Sequence, residues 1–269
     1  MKKRLFVSFL TLLLSLANLS CDENKEKVLV IAHRGGVVNE SLPENSLAGL
    51  EEAVRRGYTH VEVDVRCTKD GKLVCFHNDN MKEKTGVDKN VSEVTLDKLR
   101  KLYLIKTQEA IPTFEEYCAK SCGRINLMLD IKGCAEEHTE EYIKQIDEIL
   151  TKYGLMEEAL FIGRKKILDR FYGKAKIALR DNLETVKASQ QAKGNPGQYY
   201  FIFNHARDFD KKQIDGFHQI GMKVIVSINT FHYRTGDPVK QGKDDIKRLL
   251  DLGVDGLQID SCYDTAIFN

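Results

Sequence analysis

The chain has 269 residues, with 41 Lys and Arg set against 40 Asp and Glu, for a formal net charge of +1. Near-neutral charge without a basic stripe and interleaved aromatics argues against a nucleic-acid partner, and 42% hydrophobic residues suffice for a sizeable core. The length is long for one ordinary domain and normal for a single α/β barrel.

The first element is a processing segment rather than part of the fold. Lys2-Lys3-Arg4 is a basic start, residues 5–16 are an apolar run too short to span a bilayer comfortably, and Leu19-Ser20-Cys21 follows. This ending resembles the lipobox of bacterial lipoproteins. The resemblance implies a signal peptide over 1–20, cleavage before Cys21, and a lipid on the Cys21 thiol. It also implies a polar tether over 21–27 and a catalytic unit over 28–269. The expected location is the bacterial cell envelope, with the membrane contacted only through the lipid anchor. Loss of residues 1–20 removes three cations and takes the net charge to −2. Of the remaining cysteines, Cys67, Cys75, Cys118, Cys122, Cys134 and Cys262, none has zinc spacing. A domain of this size does not require cross-links, so small buried apolar side chains are expected ahead of the alternative, a disulfide framework, for which six cysteines allow 15 connectivities.

Apolar strand-like runs then alternate with amphipathic ones. Strands are expected over 28–33, 60–67, 125–131, 160–163, 177–179, 199–203, 223–228 and 256–260. Helices are expected over 46–56, 113–119, 140–153, 183–192, 211–219 and 244–252, several closed by a glycine such as Gly57, Gly221 or Gly253. Strands separated by helices predict a parallel sheet. Eight of them over this length predict a closed (β/α)8 (TIM) barrel. One insertion follows the second strand: a Thr68-Lys69-Asp70-Gly71 turn, a strand over 73–77, and a short helix over 96–102. It reads as an elaborated loop of the kind on which barrels build active sites.

Two clusters carry chemistry. In His60-Val61-Glu62-Val63-Asp64-Val65, Glu62 and Asp64 lie two apart on a strand, so both carboxylates point to one face. Such a pair suits one hard cation with oxygen ligands, Mg²⁺ or Ca²⁺. In Ile31-Ala32-His33-Arg34-Gly35-Gly36, a histidine and an arginine at another strand end offer a proton carrier and an oxyanion clamp. Together they suggest metal-assisted chemistry on a phosphate ester.

These motifs continue in order through Pro43-Glu44-Asn45-Ser46, Thr68-Lys69-Asp70-Gly71, His77, Ile111-Pro112-Thr113-Phe114-Glu115, Asp130-Ile131-Lys132, Gly253-Val254-Asp255-Gly256 and Asp260. As a set they resemble the glycerophosphodiester phosphodiesterase family over roughly residues 28 to 262. The resemblance implies a barrel enzyme that uses a divalent cation to split small glycerophosphodiesters into glycerol 3-phosphate and an alcohol. On it, Glu62, Asp64 and Asp130 match the metal ligands, Asp130 standing where the family usually has Glu. His33 and His77 match the catalytic histidines, and the glycerol 2-hydroxyl is the implied first nucleophile, through a cyclic phosphate. Arg34 and Lys132 would hold the phosphate, while Glu44, Asn45 and Glu115 would support the site from behind.

Three departures stand out. Asn78 follows the second histidine where the family has Asp, Val226 replaces an aromatic common on the seventh strand and is expected in the wall facing the glycerol or alcohol group, and Ser261-Cys262 alters the ending. His60, His138, His218 and His232 are expected to be structural; His205 is a weaker candidate for substrate contact. Absence of a dense aromatic loop favours a soluble substrate over intact lipid, on which a related barrel phospholipase C or D would act. A silent phosphodiester-binding lipoprotein is the remaining alternative.

Overall fold

Alternation along the strands decides the architecture. In the strand His60–Cys67, Val61, Val63 and Val65 join the main apolar core, while His60, Glu62 and Asp64 point the other way. In Asn126–Gly133, Leu127, Leu129 and Ile131 are the outward set, opposed by Met128, Asp130 and Lys132. Such strands need a helical layer on one side and a second packed interior on the other.

The structure, a computed structural model, describes residues 27–105, 107–190 and 195–268; Cys21 and the leader lie outside them. The chain begins with β1 (Leu29–Ala32), α1 (Leu47–Arg56), β2 (His60–Cys67) and β3 (Leu73–Cys75). The short helices α2 (Lys82–Thr85) and α3 (Leu96–Leu99) precede α4 (Phe114–Ser121), β4 (Asn126–Gly133) and α5 (Thr139–Lys152). Then come β5 (Leu160–Gly163), α6 (Lys165–Leu168), β6 (Lys176–Leu179), α7 (Leu183–Gln190) and β7 (Tyr200–His205). The chain ends through α8 (Lys211–Gln219), β8 (Lys223–Ile228), α9 (Pro238–Leu252) and β9 (Gly256–Ile259).

The strands run in the order β1-β9-β8-β7-β6-β5-β4-β2-β3, and β1 also pairs with β2. Eight parallel strands therefore close into a barrel, and β3 is an extra antiparallel strand on β2. The expected (β/α)8 barrel with an insertion after the second strand is the fold observed. Ile31, Met128, Leu160, Ile162, Phe201, Phe203 and Ile225 fill the barrel, and the larger core lies between strands and helices. The insertion has an apolar cluster of its own, which includes Val74, Phe76, Met81, Val91, Leu99, Leu104 and Ile111. It is a packed lobe rather than a loose connection.

Two elements differ from the sequence expectation. α9 starts at Pro238, six residues before the expected start at 244, because Asp237 caps it and accepts from the backbone N–H groups of Val239 and Lys240. Gly242 obscures that first turn in the sequence, yet it is there for contact: a Cβ on it would lie 2.3 Å from Tyr263 Cε1. Between β5 and β6 the helical layer is reduced to α6 and a following 3₁₀ turn.

The turn after β1 is set by glycine. Gly36 has φ +120°, and a Cβ there would sit 2.2 Å from the carbonyl oxygen of Gly49 in α1. Gly57, the αL residue closing α1, has φ +85° with nothing within 4 Å. Gly57→Ala is expected to cost about 1 kcal/mol, from backbone strain alone. Gly36→Ala must also push α1 off the sheet and is expected to cost at least about 3 kcal/mol. Urea unfolding of both variants checks this; equal losses would mean the close approach to α1 is not the controlling contact.

Candidate active site

The polar residues cluster at the C-terminal ends of the barrel strands. β1 hands over to His33 and then to Arg34, which has φ +56°, an unfavourable backbone for a side-chain-bearing residue. Neighbouring contacts over-determine it. Arg34 N–H donates to Glu62 Oε2 at 2.6 Å, its carbonyl accepts from Asn45 N at 2.8 Å, and Gly35 N–H donates to the Glu62 carbonyl at 2.5 Å. Gly35 (φ +78°) has no room for a Cβ, which would lie 2.4 Å from Asn45 Cα. The His33-Arg34-Gly35-Gly36 segment is thereby clamped between β2 and the start of α1.

Glu62, Asp64 and Asp130 converge. One carboxylate oxygen from each lies within 4.8 Å of the others, and Asp64 and Asp130 are register partners on β2 and β4. The shorter arm of Asp130 therefore still reaches the cluster. Asp64 is fully buried; its Oδ2 accepts from Asn45 Nδ2 at 2.7 Å, and its N–H donates to Asn45 Oδ1 at 3.0 Å. Lys132 Nζ lies 2.6 Å from Asp130 Oδ2 and 2.9 Å from Asp64 Oδ1. The Lys132 ammonium is the one cation against that buried Asp64 oxygen among the described residues. Burial, then the charges of Asp64 and Asp130, push the Glu62 carboxyl well above the usual carboxylate range. Burial would also raise Asp64, but Lys132, His77 and the Asn45 bond hold it below its ordinary value. A compact, buried all-oxygen set of mutually repelling carboxylates fits a hard divalent cation.

The two histidines are each held at Nδ1. His33 Nδ1 donates to Asp260 Oδ1 at 2.6 Å, and His77 Nδ1 to Asn78 Oδ1 at 2.6 Å, leaving Nε2 of both for chemistry. Asn78 thus does for His77 orientation what the family's Asp would do, without its charge. Asp260 in turn accepts from Thr230 N–H at 2.7 Å and Thr230 Oγ1 at 2.9 Å. Burial opposes its ionisation, but His33 and Thr230 hold Asp260 down to about 2.

The sequence reading gave Asp260 no role, and the same is true of Arg66. Arg66 Nε donates to the carbonyls of Phe76 (3.1 Å) and His77 (3.0 Å), its Nη2 to His77 O (2.6 Å), and its Nη1 pairs with Asp79. It ties the segment carrying His77 to the end of β2. The rigid guanidinium fork is suited to several acceptors at once.

Arg34 Nη1 donates to Glu44 Oε2 at 2.8 Å, whereas its Nε is buried without a hydrogen-bond partner. A cavity of about 320 Å³ lies here, lined by His33, Arg34, Glu44, Thr230, Phe231 and Asp260 among others. Phe231 is 59% exposed, with its ring centroid 6.1 Å from that of His33. A second cavity of about 260 Å³ shares Val38 and Glu44 and extends over Phe76, Lys84, Leu104 and Ile105 of the insertion.

Three expectations need correction. Glu115 does not support the site: it is exposed on α4 and bonds Lys152 Nζ at 2.6 Å and Tyr153 OH at 3.4 Å. Val226 is not part of the substrate wall, because it faces the helical layer with Val224 and Ile228. The aromatic at the mouth is instead Phe231. The mouth and the insertion also expose apolar side chains unforeseen from the sequence, Phe231 together with Tyr103 (52%) and Ile105 (56%).

The other histidines behave as expected. His60 is buried in β2 and pulled down to about 4, mainly by burial. His138 bonds the Lys69 carbonyl, His218 bonds Asp255, and His232 Nδ1 accepts from Asn229 N–H. His205 packs edge-on against His232, with centroids 4.2 Å apart, and is not among the residues lining the cavity beside His33. Ser261 Oγ donates to the Val38 carbonyl at 2.7 Å and ties the end of β9 to the loop after β1.

Comparison with known proteins agrees with this geometry. Human glycerophosphodiester phosphodiesterase 1 is 30% identical over 139 residues, 48% of this chain and 41% of that protein, so the match spans less than half the relative's length. The crystal structure of a glycerophosphoryl diester phosphodiesterase from Parabacteroides distasonis superposes with TM-score 0.72 at 21% identity, covering 90% of this chain and 85% of that one. An Oleispira antarctica phosphodiesterase, solved with the product sn-glycerol-3-phosphate, gives 0.70 at 24% identity, covering 90% and 97%. These two establish likeness of fold. The sequence profile of the glycerophosphoryl diester phosphodiesterase family matches residues 33–262, and the chain belongs to that family.

Proposed function

We propose that the protein hydrolyses glycerophosphodiesters to glycerol 3-phosphate and an alcohol, with His33 and His77 exchanging protons at Nε2. The observation that carries this reading is a pair of buried groups of opposite character in one mouth. Arg34 Nε is a donor without an acceptor, and Asp64 Oδ1 faces the carboxylates of Glu62 and Asp130 with the Lys132 ammonium to balance them. A phosphodiester offers oxygens to the first, and a divalent cation satisfies the second. Glu62, Asp64 and Asp130 would hold that cation, which when bound polarises phosphoryl oxygens.

The chain's own groups do the rest. Arg34 and Lys132 complement phosphoryl charge and orient the diester. His33, its tautomer fixed by Asp260, takes a proton from the attacking hydroxyl and faces a carboxylate that balances the resulting charge. His77, fixed by a neutral amide, delivers a proton to the leaving alcohol. The roles reverse if water opens a cyclic intermediate. Purified protein should release glycerol 3-phosphate from glycerophosphocholine, glycerophosphoethanolamine or glycerophosphoinositol with Mg²⁺ or Ca²⁺, and lose the activity in EDTA. His33→Ala and His77→Ala should each lower kcat by about 10²-fold or more without loss of metal binding by calorimetry. Near wild-type turnover in either variant removes that histidine from proton transfer.

A second reading, activity on diesters whose alcohol carries an apolar chain, is favoured by the cavity over Phe76, Leu104 and Ile105. Including a lysophospholipid in the same assay separates the two. The lipid anchor on Cys21 and location in the cell envelope remain part of the proposal, supported by the Leu19-Ser20-Cys21 motif alone.

Asp260 generates a pH-dependent outcome. Its folded value, about 2 against the ordinary 3.8, is depressed, so its stabilisation is complete above pH 3.8 and lost as pH falls through about 2. Chemical denaturation should show that loss, roughly 2 kcal/mol, in the wild type and not in Asp260→Asn. The same variant should lose about 10²-fold or more in kcat; an unchanged kcat would show that His33 needs no carboxylate.

Arg66→Lys cannot reproduce the fork to Phe76 and His77. A drop in kcat of roughly 10-fold with KM nearly unchanged is expected, and equal effects on both parameters would argue for a general loosening of the mouth.

A further inference from the structure

The pairing of Arg66 with Gly133 brings the next residue of each chain, Cys67 and Cys134, abreast at the ends of β2 and β4. Cys67 lies in the main core and Cys134 packs against that core. Their thiols are close enough to interact, and each has a hydrogen-bond contact: Cys67 Sγ to Thr68 O at 3.5 Å, Cys134 Sγ to Thr139 Oγ1 at 3.9 Å. Both line a cavity of about 240 Å³, with three cations, Arg66, Lys132 and Arg164, and one carboxylate, Asp79, in its wall. The remaining described cysteines offer no comparable pair: Cys75 and Cys118 are buried, and Cys122 and Cys262 are exposed.

We propose that Cys67 and Cys134 form a reversible dithiol–disulfide site, oxidised by an anionic low-molecular-weight disulfide of the glutathione class. The partly exposed member is the better nucleophile. Interaction with the Cys67 thiol, with help from Thr139 and against the effect of burial, holds the Cys134 thiol down to about 7. A partly accessible thiol with cationic side chains nearby is an environment in which cysteines react. The Cys134 thiolate attacks one sulfur of the oxidant, forms a mixed disulfide and expels one thiolate. Cys67, giving its proton to solvent, then displaces the second. Two protein thiols and one disulfide become one protein disulfide and two small thiols, with no other reactant.

The bond would tie β2, three residues past Asp64, to the chain four residues past Asp130. It would fix the gap between the strand ends that carry those carboxylates, and restrict the unfolded chain by closing a loop from residue 67 to residue 134.

The test uses the protein with Cys122→Ser and Cys262→Ser, which removes the exposed thiols and leaves the pair intact. After incubation with oxidised glutathione, non-reducing peptide mapping should recover residue 67 linked to residue 134, with two fewer free thiols. The melting temperature should rise by roughly 5–15 °C and return to its starting value with dithiothreitol. A further Cys134→Ser change, or Cys67→Ala should the serine disturb folding, should abolish the link and the shift. Persistence of both free thiols, stable glutathione adducts without an internal link, or a link between other cysteines would each overturn the proposal.

Discussion

Crowding of buried negative charge at one end of the barrel is the constraint to which the rest of the mouth answers. Glu62 and Asp64 are essentially without solvent, and Asp130 stands beside them. Carboxylates so placed are tolerated only where neighbouring groups compensate the lost hydration. Lys132 spans two of them, Asn45 brackets Asp64 through both ends of its amide, and a backbone N–H from the strained Arg34 turn meets Glu62. The turn's left-handed residues and crowded glycines therefore follow from the electrostatics. They aim a peptide dipole at a carboxylate and leave one guanidinium nitrogen without an acceptor.

Much of this was legible in the chain because parallel barrel strands are buried on both faces. They read as short apolar runs interrupted only where a polar residue faces the mouth, so all eight barrel strands lie close to their expected positions. Glu62, Asp64, Asp130 and Lys132 lie within β2 and β4, His33, Arg34 and His77 just after strands, and Glu44 and Asn45 just before α1, where local sequence carries the signal. Asp260 and Arg66 were not legible as positioning groups because their partners are remote in the chain or are backbone carbonyls. His33 and Asp260 are 227 residues apart. Glu115 was misread because an acid in the first turn of a helix looks the same whether it serves a site or a surface ion pair. Val226 shows the reverse: Val224, Val226 and Ile228 share an outward parity, while Ser227 faces Gln258. Strict alternation would have excluded it.

The mouth is asymmetric in its supports. Asp260 holds His33 with a charge, and Asn78 holds His77 with an amide, so similar imidazoles acquire different electrostatic surroundings from the chain around them. The two elements that secure these histidines also differ in kind. Thr230 and Asn229, at the end of β8, brace Asp260 through the barrel itself. Arg66 secures His77 by gripping a loop.

The separate apolar cluster of the insertion gives this asymmetry a dynamic meaning. Cooperative opening of a protein proceeds by units that each have their own packed interior. His33 and the carboxylates belong to the barrel unit, whereas His77 rides on the lobe built around Phe76, Met81 and Leu99. Sub-global opening of that lobe would withdraw His77 while the carboxylate cluster and the arginine turn stayed assembled. Amide protection across the lobe thus becomes a measure of the fraction of molecules that hold a complete pair of histidines. Sequence drift within the lobe can retune that fraction without touching the barrel.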